Sequence, residues 1–161
     1  MVPIVSFVGK SNSGKTTVIE KLLPVLKAGG YRIAVIKHAA HGFEIDRRGK
    51  DSFRHKTAGA DAVLVASPTR MALVKDDPYA GLARLLSYLS DMDLIITEGF
   101  KSENYPKIEV LRAERGGRLL CTDNKDLIAV VTDLPFPVNV PVFGLEEIEP
   151  LAEFIAARFL R

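Results

Sequence analysis

Short apolar runs alternate along this chain with segments in which apolar residues recur every three or four positions. The apolar runs are rich in β-branched residues and predict strands, whereas the second pattern predicts helices with one buried face. We predict strands at residues 4–8, 31–37, 62–66, 70–75, 94–97, 108–112, 128–131 and 140–143. We predict helices at residues 14–28, 51–58, 77–89 and 146–160. This alternation predicts an α/β fold with helices on both faces of a mostly parallel, twisted sheet.

Two connections predict antiparallel hairpins within this pattern. Residues 62–66 and 70–75 are separated by only Ser-Pro-Thr, too short a link for a parallel crossover. Gly116 and Gly117 precede the apolar pair at residues 119–120. Because paired glycines supply the positive φ angles of tight turns, we expect a second hairpin there.

The clearest functional signal follows the first predicted strand. Residues 9–17 read Gly-Lys-Ser-Asn-Ser-Gly-Lys-Thr-Thr, which matches the Walker A or P-loop pattern between a strand and a helix. Its amide groups and the start of the helix favour phosphate, while a lysine meets the β- and γ-phosphates and a threonine hydroxyl binds Mg²⁺. The predicted phosphate-binding residues are Gly9, Ser11, Asn12, Ser13, Gly14, Lys15, Thr16 and Thr17. The chain is therefore predicted to be a P-loop NTPase.

Two carboxylates are predicted to share a magnesium site with Thr16. Glu98 follows the apolar run 94–97 and precedes a glycine, which is the arrangement a Walker B carboxylate needs. Asp46 lies in the polar stretch after the second predicted strand, where P-loop proteins often carry a switch loop. An acid facing solvent is the alternative for both residues, and for Asp46 the two interpretations have equal support.

Several basic side chains are candidates for binding a second substrate, namely His38, His41, Lys50 and Lys101. For the histidines three interpretations stay open: transition-metal ligands, contacts to an anion, and ordinary loop residues. For the basic residues the alternative is a solvated charged face.

Asp133 and Lys10 each allow two interpretations. Asp133 directly follows a predicted strand, and its carboxylate can accept both N1–H and N2–H of guanine, although a turn residue is equally supported. Lys10 is the second residue of the loop, the position from which a lysine reaches the partner's nucleotide in one class of dimeric P-loop ATPases. The favoured alternative is a loop lysine that contacts the phosphates of its own nucleotide or solvent.

Composition narrows the class of protein. A chain of 161 residues is predicted to form one domain, residues 1–161. The net charge of +2 gives no electrostatic reason to bind nucleic acid. The single cysteine suits a reducing compartment, and no apolar run is long enough to cross a membrane. We therefore expect a cytoplasmic protein with neither a nucleic-acid partner nor a membrane partner.

Four short motifs resemble the molybdopterin-guanine dinucleotide biosynthesis protein B (MobB) family. They are Lys-His at residues 37–38, Gly-Lys-Asp-Ser at 49–52, Ala-Gly-Ala at 58–60 and Glu-Gly-Phe-Lys at 98–101. The P-loop with its doubled threonine is also similar, and the resemblance extends from the first strand to the final helix.

The resemblance implies a GTP-binding adaptor that assists conversion of molybdopterin to molybdopterin guanine dinucleotide, with Mg²⁺ and weak GTP hydrolysis. It implies a homodimer that works with molybdenum cofactor guanylyltransferase (MobA-like) and molybdopterin-carrying proteins. The residues themselves show no evident catalytic base, so slow hydrolysis is expected. Two alternatives stay open: an ATP-dependent small-molecule kinase or ligase of the dethiobiotin synthetase type, and a non-catalytic adaptor stabilised by nucleotide.

Overall fold

A computed structural model describes residues 2–39, 41–77, 81–116, 118–121, 125–135 and 137–160. The chain divides into two compact units, which we describe separately. The sheet unit comprises Met1–His38 and Leu82–Arg161, and the hairpin unit comprises Ala39–Gly81. The single-domain organisation stays a prediction.

In chain order the elements are β1 (Ile4–Val8), α1 (Lys15–Ala28), β2 (Ile33–Lys37), α2 (Asp51–Thr57), β3 (Ala62–Ala66), β4 (Met71–Lys75), α3 (Leu82–Leu86), β5 (Leu94–Glu98), β6 (Lys107–Leu111), β7 (Leu127–Thr132), β8 (Val142–Phe143) and α4 (Ile148–Phe159). Short 3₁₀ helices follow α3 at Ser87–Leu89 and β6 at Ala113–Arg115. Most predicted bounds agree to within a residue or two, but the helix expected from residue 77 begins at Leu82. Residues 78–80 of that prediction lie outside the described residues. Among the helices of the described segments, none has the length and apolar character needed to span a membrane.

Within the described residues, the sheet unit contains six strands in the order β2-β5-β1-β6-β7-β8, and every neighbouring pair is parallel. The predicted α/β architecture with a mostly parallel sheet is therefore confirmed. β1 lies between β5 and β6, so the loop after β1 begins between the carboxyl ends of two neighbouring strands. In an open parallel sheet, ligands bind at this edge.

The main core of the sheet unit forms where α1 and α4 pack on the sheet. The buried side chains of α1 recur every three or four residues, as the sequence pattern predicts. β1 is buried along its whole length, with both of its edges paired and its side chains Val5 and Phe7 in the core with α1 and α4. The core includes Val5, Phe7, Val18, Ile19, Leu22, Ile96, Ile108, Val110, Leu151 and Ile155.

A smaller core cluster contains Leu119 and Cys121, and the hairpin predicted there is wrong. β6 is hydrogen-bonded on one edge to β1 and on the other to β7, so it has no free edge for a third strand. Gly117 lies outside the described residues, and the segment 118–121 is not a strand. Instead, the buried Glu109 carboxylate accepts the backbone N–H groups of Leu120 at 2.7 Å and Cys121 at 2.9 Å.

The hairpin unit contains α2 and the antiparallel pair β3 and β4, which confirms the first predicted hairpin. The turn is closed by Ser67, whose backbone N–H donates to the Arg70 carbonyl at 2.8 Å and whose hydroxyl oxygen accepts the Arg70 N–H. Most side chains of β3 and β4 are exposed, and no residue of α2 is buried.

Candidate nucleotide-binding site

A cavity of about 560 Å³ opens at the carboxyl edge of the sheet. The segments that follow β1, β2, β5 and β6 contribute its walls, together with the start of α1. Its lining residues are Ser11, Asn12, Gly14, Lys15, Thr16, Thr17, Lys37, His38, Glu98, Gly99 and Arg112. Most of the predicted phosphate-binding residues therefore surround one cavity.

The backbone of the P-loop is shaped by glycines at its two ends. Gly9 has φ 141°, and a Cβ there would lie 2.3 Å from the Val110 carbonyl oxygen. Gly14 has φ 93° and lies directly before α1. The first turn of α1 contains no acidic residue, and no side chain caps its N-terminus. The N–H groups at this helix end are therefore available to an anion, and the helix dipole favours negative charge there.

The Lys15 ammonium lies over the loop that precedes it. Its Nζ donates to the carbonyl oxygens of Gly9 at 3.1 Å and Lys10 at 2.7 Å. Burial lowers the pKa of Lys15; the Glu98 carboxylate opposes this shift, and Lys37 adds to it. The Lys37 ammonium therefore lies close enough to disfavour the charged form of Lys15.

Glu98 contacts both a hydroxyl and a cation at the edge of the cavity. The Thr16 hydroxyl donates to Glu98 Oε1 at 2.8 Å, and Lys37 Nζ lies 3.6 Å from Oε2. The Glu98 side chain is only 13% exposed. A carboxylate and a hydroxyl side by side are hard oxygen ligands, so this donor set fits Mg²⁺.

His38 and Lys101 follow neighbouring strands but have different surroundings. The His38 backbone N–H donates to the Glu98 carbonyl at 3.0 Å, and its ring lies 4.9 Å from the Phe100 ring. Gly99 makes room for this imidazole, since a Cβ there would lie 3.1 Å from His38 Cβ. Lys101 is exposed in the turn after β5, and it is not among the residues that line the cavity.

Asp46, His41 and Lys50 belong to the hairpin unit. Asp46 Oδ1 accepts the Ser52 hydroxyl at 3.0 Å and the Arg47 backbone N–H at 2.8 Å, so this carboxylate orders its own loop. The metal and substrate roles of these three residues stay predictions. In the described ranges, no three His, Cys, Asp or Glu side chains come together as a metal site, so the transition-metal interpretation of the histidines gains no support.

Asp133 and Lys10 both contact the turn after β6. Asp133 Oδ1 accepts the Ala113 backbone N–H at 2.9 Å, while Lys10 Nζ donates to the Arg115 carbonyl at 3.1 Å. The contact of Lys10 lies within its own chain. The base-binding role of Asp133 stays a prediction.

Two basic residues that line the cavity, Lys37 and Arg112, were not predicted from the sequence as site residues. Lys37 is the last residue of β2, and Arg112 directly follows β6. The Arg112 guanidinium packs against Gly14, where a Cβ would lie 3.1 Å from Nε. A basic residue at the carboxyl end of a predicted parallel strand is the signal that would have identified both residues.

A parallel sheet with a glycine-rich loop and a helix N-terminus at its carboxyl edge defines a P-loop NTPase-like fold. The family model described as molybdopterin guanine dinucleotide synthesis protein B (MobB) matches residues 4–133. The chain belongs to this family.

Curated relatives named molybdopterin-guanine dinucleotide biosynthesis adapter protein match nearly the whole chain. The protein from Escherichia coli K12 is 39% identical over 162 residues, covering 96% of this chain and 92% of the relative. The protein from Haemophilus influenzae is 37% identical over 157 residues, covering 96% of this chain and 88% of the relative.

Solved structures support the same relationship. A crystal structure of molybdopterin-guanine biosynthesis protein B is similar with a TM-score of 0.75 and 34% identity, covering 98% of this chain and 99% of the other. The crystal structure of Bacillus subtilis MobB is similar with a TM-score of 0.78 and 30% identity, covering 99% of this chain and 98% of the other.

Proposed function

We propose that this protein binds GTP with Mg²⁺ in the sheet-unit cavity and acts as an adapter in molybdopterin guanine dinucleotide biosynthesis. The observation that carries the proposal is the Lys15 ammonium on the P-loop beside the hydrogen-bonded pair of Thr16 and Glu98. The names of the Escherichia coli and Haemophilus influenzae relatives supply the pathway.

The charge around the cavity favours a polyanion. Its lining includes three basic side chains, Lys15, Lys37 and Arg112, and one carboxylate, Glu98. Phosphate oxygens gain charge-assisted hydrogen bonds from such cations and from the P-loop amides. Thr16 and Glu98 would hold Mg²⁺, which supplies positive charge to the β- and γ-phosphates when it is bound.

The remaining predicted contacts belong to the same proposal. Asp133 is proposed to select guanine, and Asp46 to approach the magnesium ion. The proposed contacts to a second substrate are His38, His41, Lys50 and Lys101.

Hydrolysis by the isolated protein is proposed to be weak. The sequence contains no glutamine that could position the attacking water as in many GTPases. Both oxygens of Glu98 face other groups, Thr16 on one side and Lys37 on the other. We expect a steady-state turnover below about 1 s⁻¹, the low end for typical enzymes.

The adapter role requires protein partners. We propose a cytoplasmic homodimer that works with the guanylyltransferase of the pathway and with molybdopterin-carrying proteins. Large exposed apolar side chains in the hairpin unit support a protein-binding role, because such surfaces mark interaction sites. They are Phe43, Ile45, Leu64, Val65, Met71 and Leu73.

Competition binding tests the nucleotide site directly. Purified protein with Mg²⁺ is titrated with GTP, ATP and molybdopterin, and we expect GTP to bind more tightly than ATP. Lys15→Ala is expected to weaken GTP binding by roughly 100-fold, since a charged contact to phosphate is lost. Lys27→Ala is the matched control, because Lys27 lies in the last turn of α1 and donates to the Tyr31 carbonyl.

Two outcomes would favour the alternatives. Tight ATP binding with phosphate transfer to a small acceptor would identify a kinase or ligase of the dethiobiotin synthetase type and contradict our proposal. If Lys15→Ala abolishes stabilisation by nucleotide but leaves cofactor maturation intact, the nucleotide has a structural role only.

A further inference from the structure

We propose that Arg112 binds the α- and β-phosphates of the nucleotide, from the side of the P-loop opposite Glu98. This inference rests on the proposed function, because it assigns a role within the same nucleotide site. It also assigns positioning roles to Lys10 and Asp133.

The strand order separates the charged groups of the cavity into two sides. β1, which leads into the P-loop, has β5 and β2 on one side and β6 on the other. Glu98 ends β5 and Lys37 ends β2, whereas Arg112 follows β6. The carboxylate and Lys37 therefore lie on one side of the loop, and Arg112 lies on the other.

The proposed magnesium donors Thr16 and Glu98 set the direction of the triphosphate. A magnesium ion held by these residues would supply positive charge to the terminal phosphates, so the γ-phosphate would lie on the side of β5. The three phosphates form a short chain, so the α-phosphate and the nucleoside extend toward β6. Arg112, on the side of β6, therefore meets the α- and β-phosphates. Lys37, on the side of β5 and β2, meets the γ-phosphate.

The Arg112 guanidinium has a hydrogen-bond donor that is not used within the described structure. Its Nε is buried and has no hydrogen-bond partner among the described residues. Its nearest approach to Glu114 is 3.8 Å, longer than a hydrogen bond. A guanidinium presents five N–H groups in a planar fork that matches the oxygens of phosphate. The guanidinium can lie this close to the P-loop because residue 14 is a glycine. A Cβ on Gly14 would lie 3.1 Å from Arg112 Nε.

Two hydrogen bonds hold the turn that carries Arg112. Asp133 Oδ1 accepts the N–H of Ala113, the residue directly after Arg112. Lys10, within the P-loop itself, donates to the carbonyl of Arg115. The turn is thus bonded both to the end of β7 and to the loop that surrounds the phosphates. Holding Arg112 in place before binding lowers the entropic cost of its contact.

The test compares GTP, GDP and inorganic pyrophosphate, each titrated calorimetrically with Mg²⁺. Arg112→Ala is expected to weaken GTP and GDP binding by a similar factor, roughly 10- to 100-fold. Lys37→Ala is the matched variant from the other side of the loop, and it is expected to weaken GTP binding more than GDP binding. Arg112→Lys is expected to recover part of the loss, because it restores the charge without the planar fork.

The outcomes separate this inference from the proposed function. If Arg112→Ala leaves both affinities unchanged, or weakens GTP binding alone, the inference is overturned while the nucleotide site stands. If the wild-type protein binds neither nucleotide nor pyrophosphate, the proposed function and the inference fail together. Thermal unfolding of each variant without ligand shows whether the fold is retained.

Asp133 provides a second test of the positioning role. Asp133→Asn keeps an oxygen that accepts the Ala113 N–H, whereas Asp133→Ala removes it. We expect Asp133→Asn to leave ATP binding unchanged and Asp133→Ala to weaken it, because ATP binding reports the positioning role without the proposed contact to guanine. If Asp133→Ala leaves ATP binding unchanged, the positioning role is wrong, whatever happens to the preference for GTP.

Discussion

The sheet unit and the hairpin unit use similar apolar sequences to different effect. The strands β1 and β7 are buried along their whole lengths, whereas every residue of β3 and β4 is at least partly exposed. In each of these strands most residues are valine, leucine, isoleucine or alanine. An apolar run therefore predicts strand formation in both units, but it does not predict burial.

The difference lies in what covers each strand. In the sheet unit, neighbouring strands pair on both sides of β1 while α1 and α4 contribute to its core. In the hairpin unit, β3 and β4 pair only with each other in the described structure. Among its ion pairs, the one between Arg48 and Glu44 is 3.9 Å long and largely exposed, and such pairs contribute little. We therefore expect stability to come mainly from the sheet unit.

Two phenylalanines provide the largest test of this comparison. Phe7 is 0% exposed in β1, and Phe43 is 77% exposed in the hairpin unit. Phe7→Ala is expected to lower the free energy of unfolding by about 3–5 kcal/mol, because it removes buried apolar surface and leaves a cavity. Phe43→Ala is expected to change it by less than about 0.5 kcal/mol. Urea unfolding at low protein concentration measures both values.

If Phe7→Ala and Phe43→Ala lower the free energy of unfolding equally, the sheet unit is not the main source of stability. A large effect of Phe43→Ala that grows with protein concentration would show that a second chain covers this ring in solution. The proposed homodimer would then contribute to the stability of the hairpin unit.

Substitution of one buried and one exposed glutamate is expected to have a smaller effect on the free energy of unfolding. Glu109 is 1% exposed and accepts two backbone N–H groups, while the Glu44 side chain is 84% exposed. Glu109→Gln leaves one of those N–H groups without an acceptor, so we expect it to cost about 1–3 kcal/mol. Glu44→Gln is the matched control and is expected to cost less than about 0.5 kcal/mol.

Equal stability of Glu109→Gln and Glu44→Gln in urea would contradict this assignment. It would mean that the segment 118–121 finds other partners when the carboxylate is lost. The smaller core cluster would then depend on its apolar contacts alone.

The sequence predicted the parts of the site that depend on local pattern. The P-loop and Glu98 could be found because a strand, a glycine-rich loop and a helix are contiguous, and because an acid ends a buried strand. A basic residue at the end of a predicted strand marks Arg112 as a candidate, but its proximity to Gly14 could not be predicted from the sequence. That proximity depends on β6 pairing with β1 rather than with another strand. The hairpin predicted at Gly116 failed for the same reason. A pair of glycines can predict a turn, but the strand order of the sheet decides whether a strand has a free edge to pair with another strand.

The smallest expected effect concerns the Cys121 thiol. Because Cys121 is the one cysteine of the chain, thiol alkylation measures the surroundings of a single residue in the sheet unit. Burial, together with the nearby Glu109 carboxylate, raises the pKa of the Cys121 thiol from the ordinary 9.0 to about 11. Alkylation of the native protein is therefore expected to show its midpoint near pH 11, and the unfolded protein near pH 9.0.

The same shift in pKa gives a dependence of stability on pH. The native thiol holds its proton more tightly than the unfolded one, so this contribution is complete below pH 9.0 and is lost as the pH rises toward 11. Because other groups titrate in this range, the quantity to measure is the difference in urea stability between wild type and Cys121→Ala at each pH. Above pH 9.0 the wild type should lose stability relative to Cys121→Ala. If the difference stays constant up to pH 11, the pKa of the native thiol is not raised.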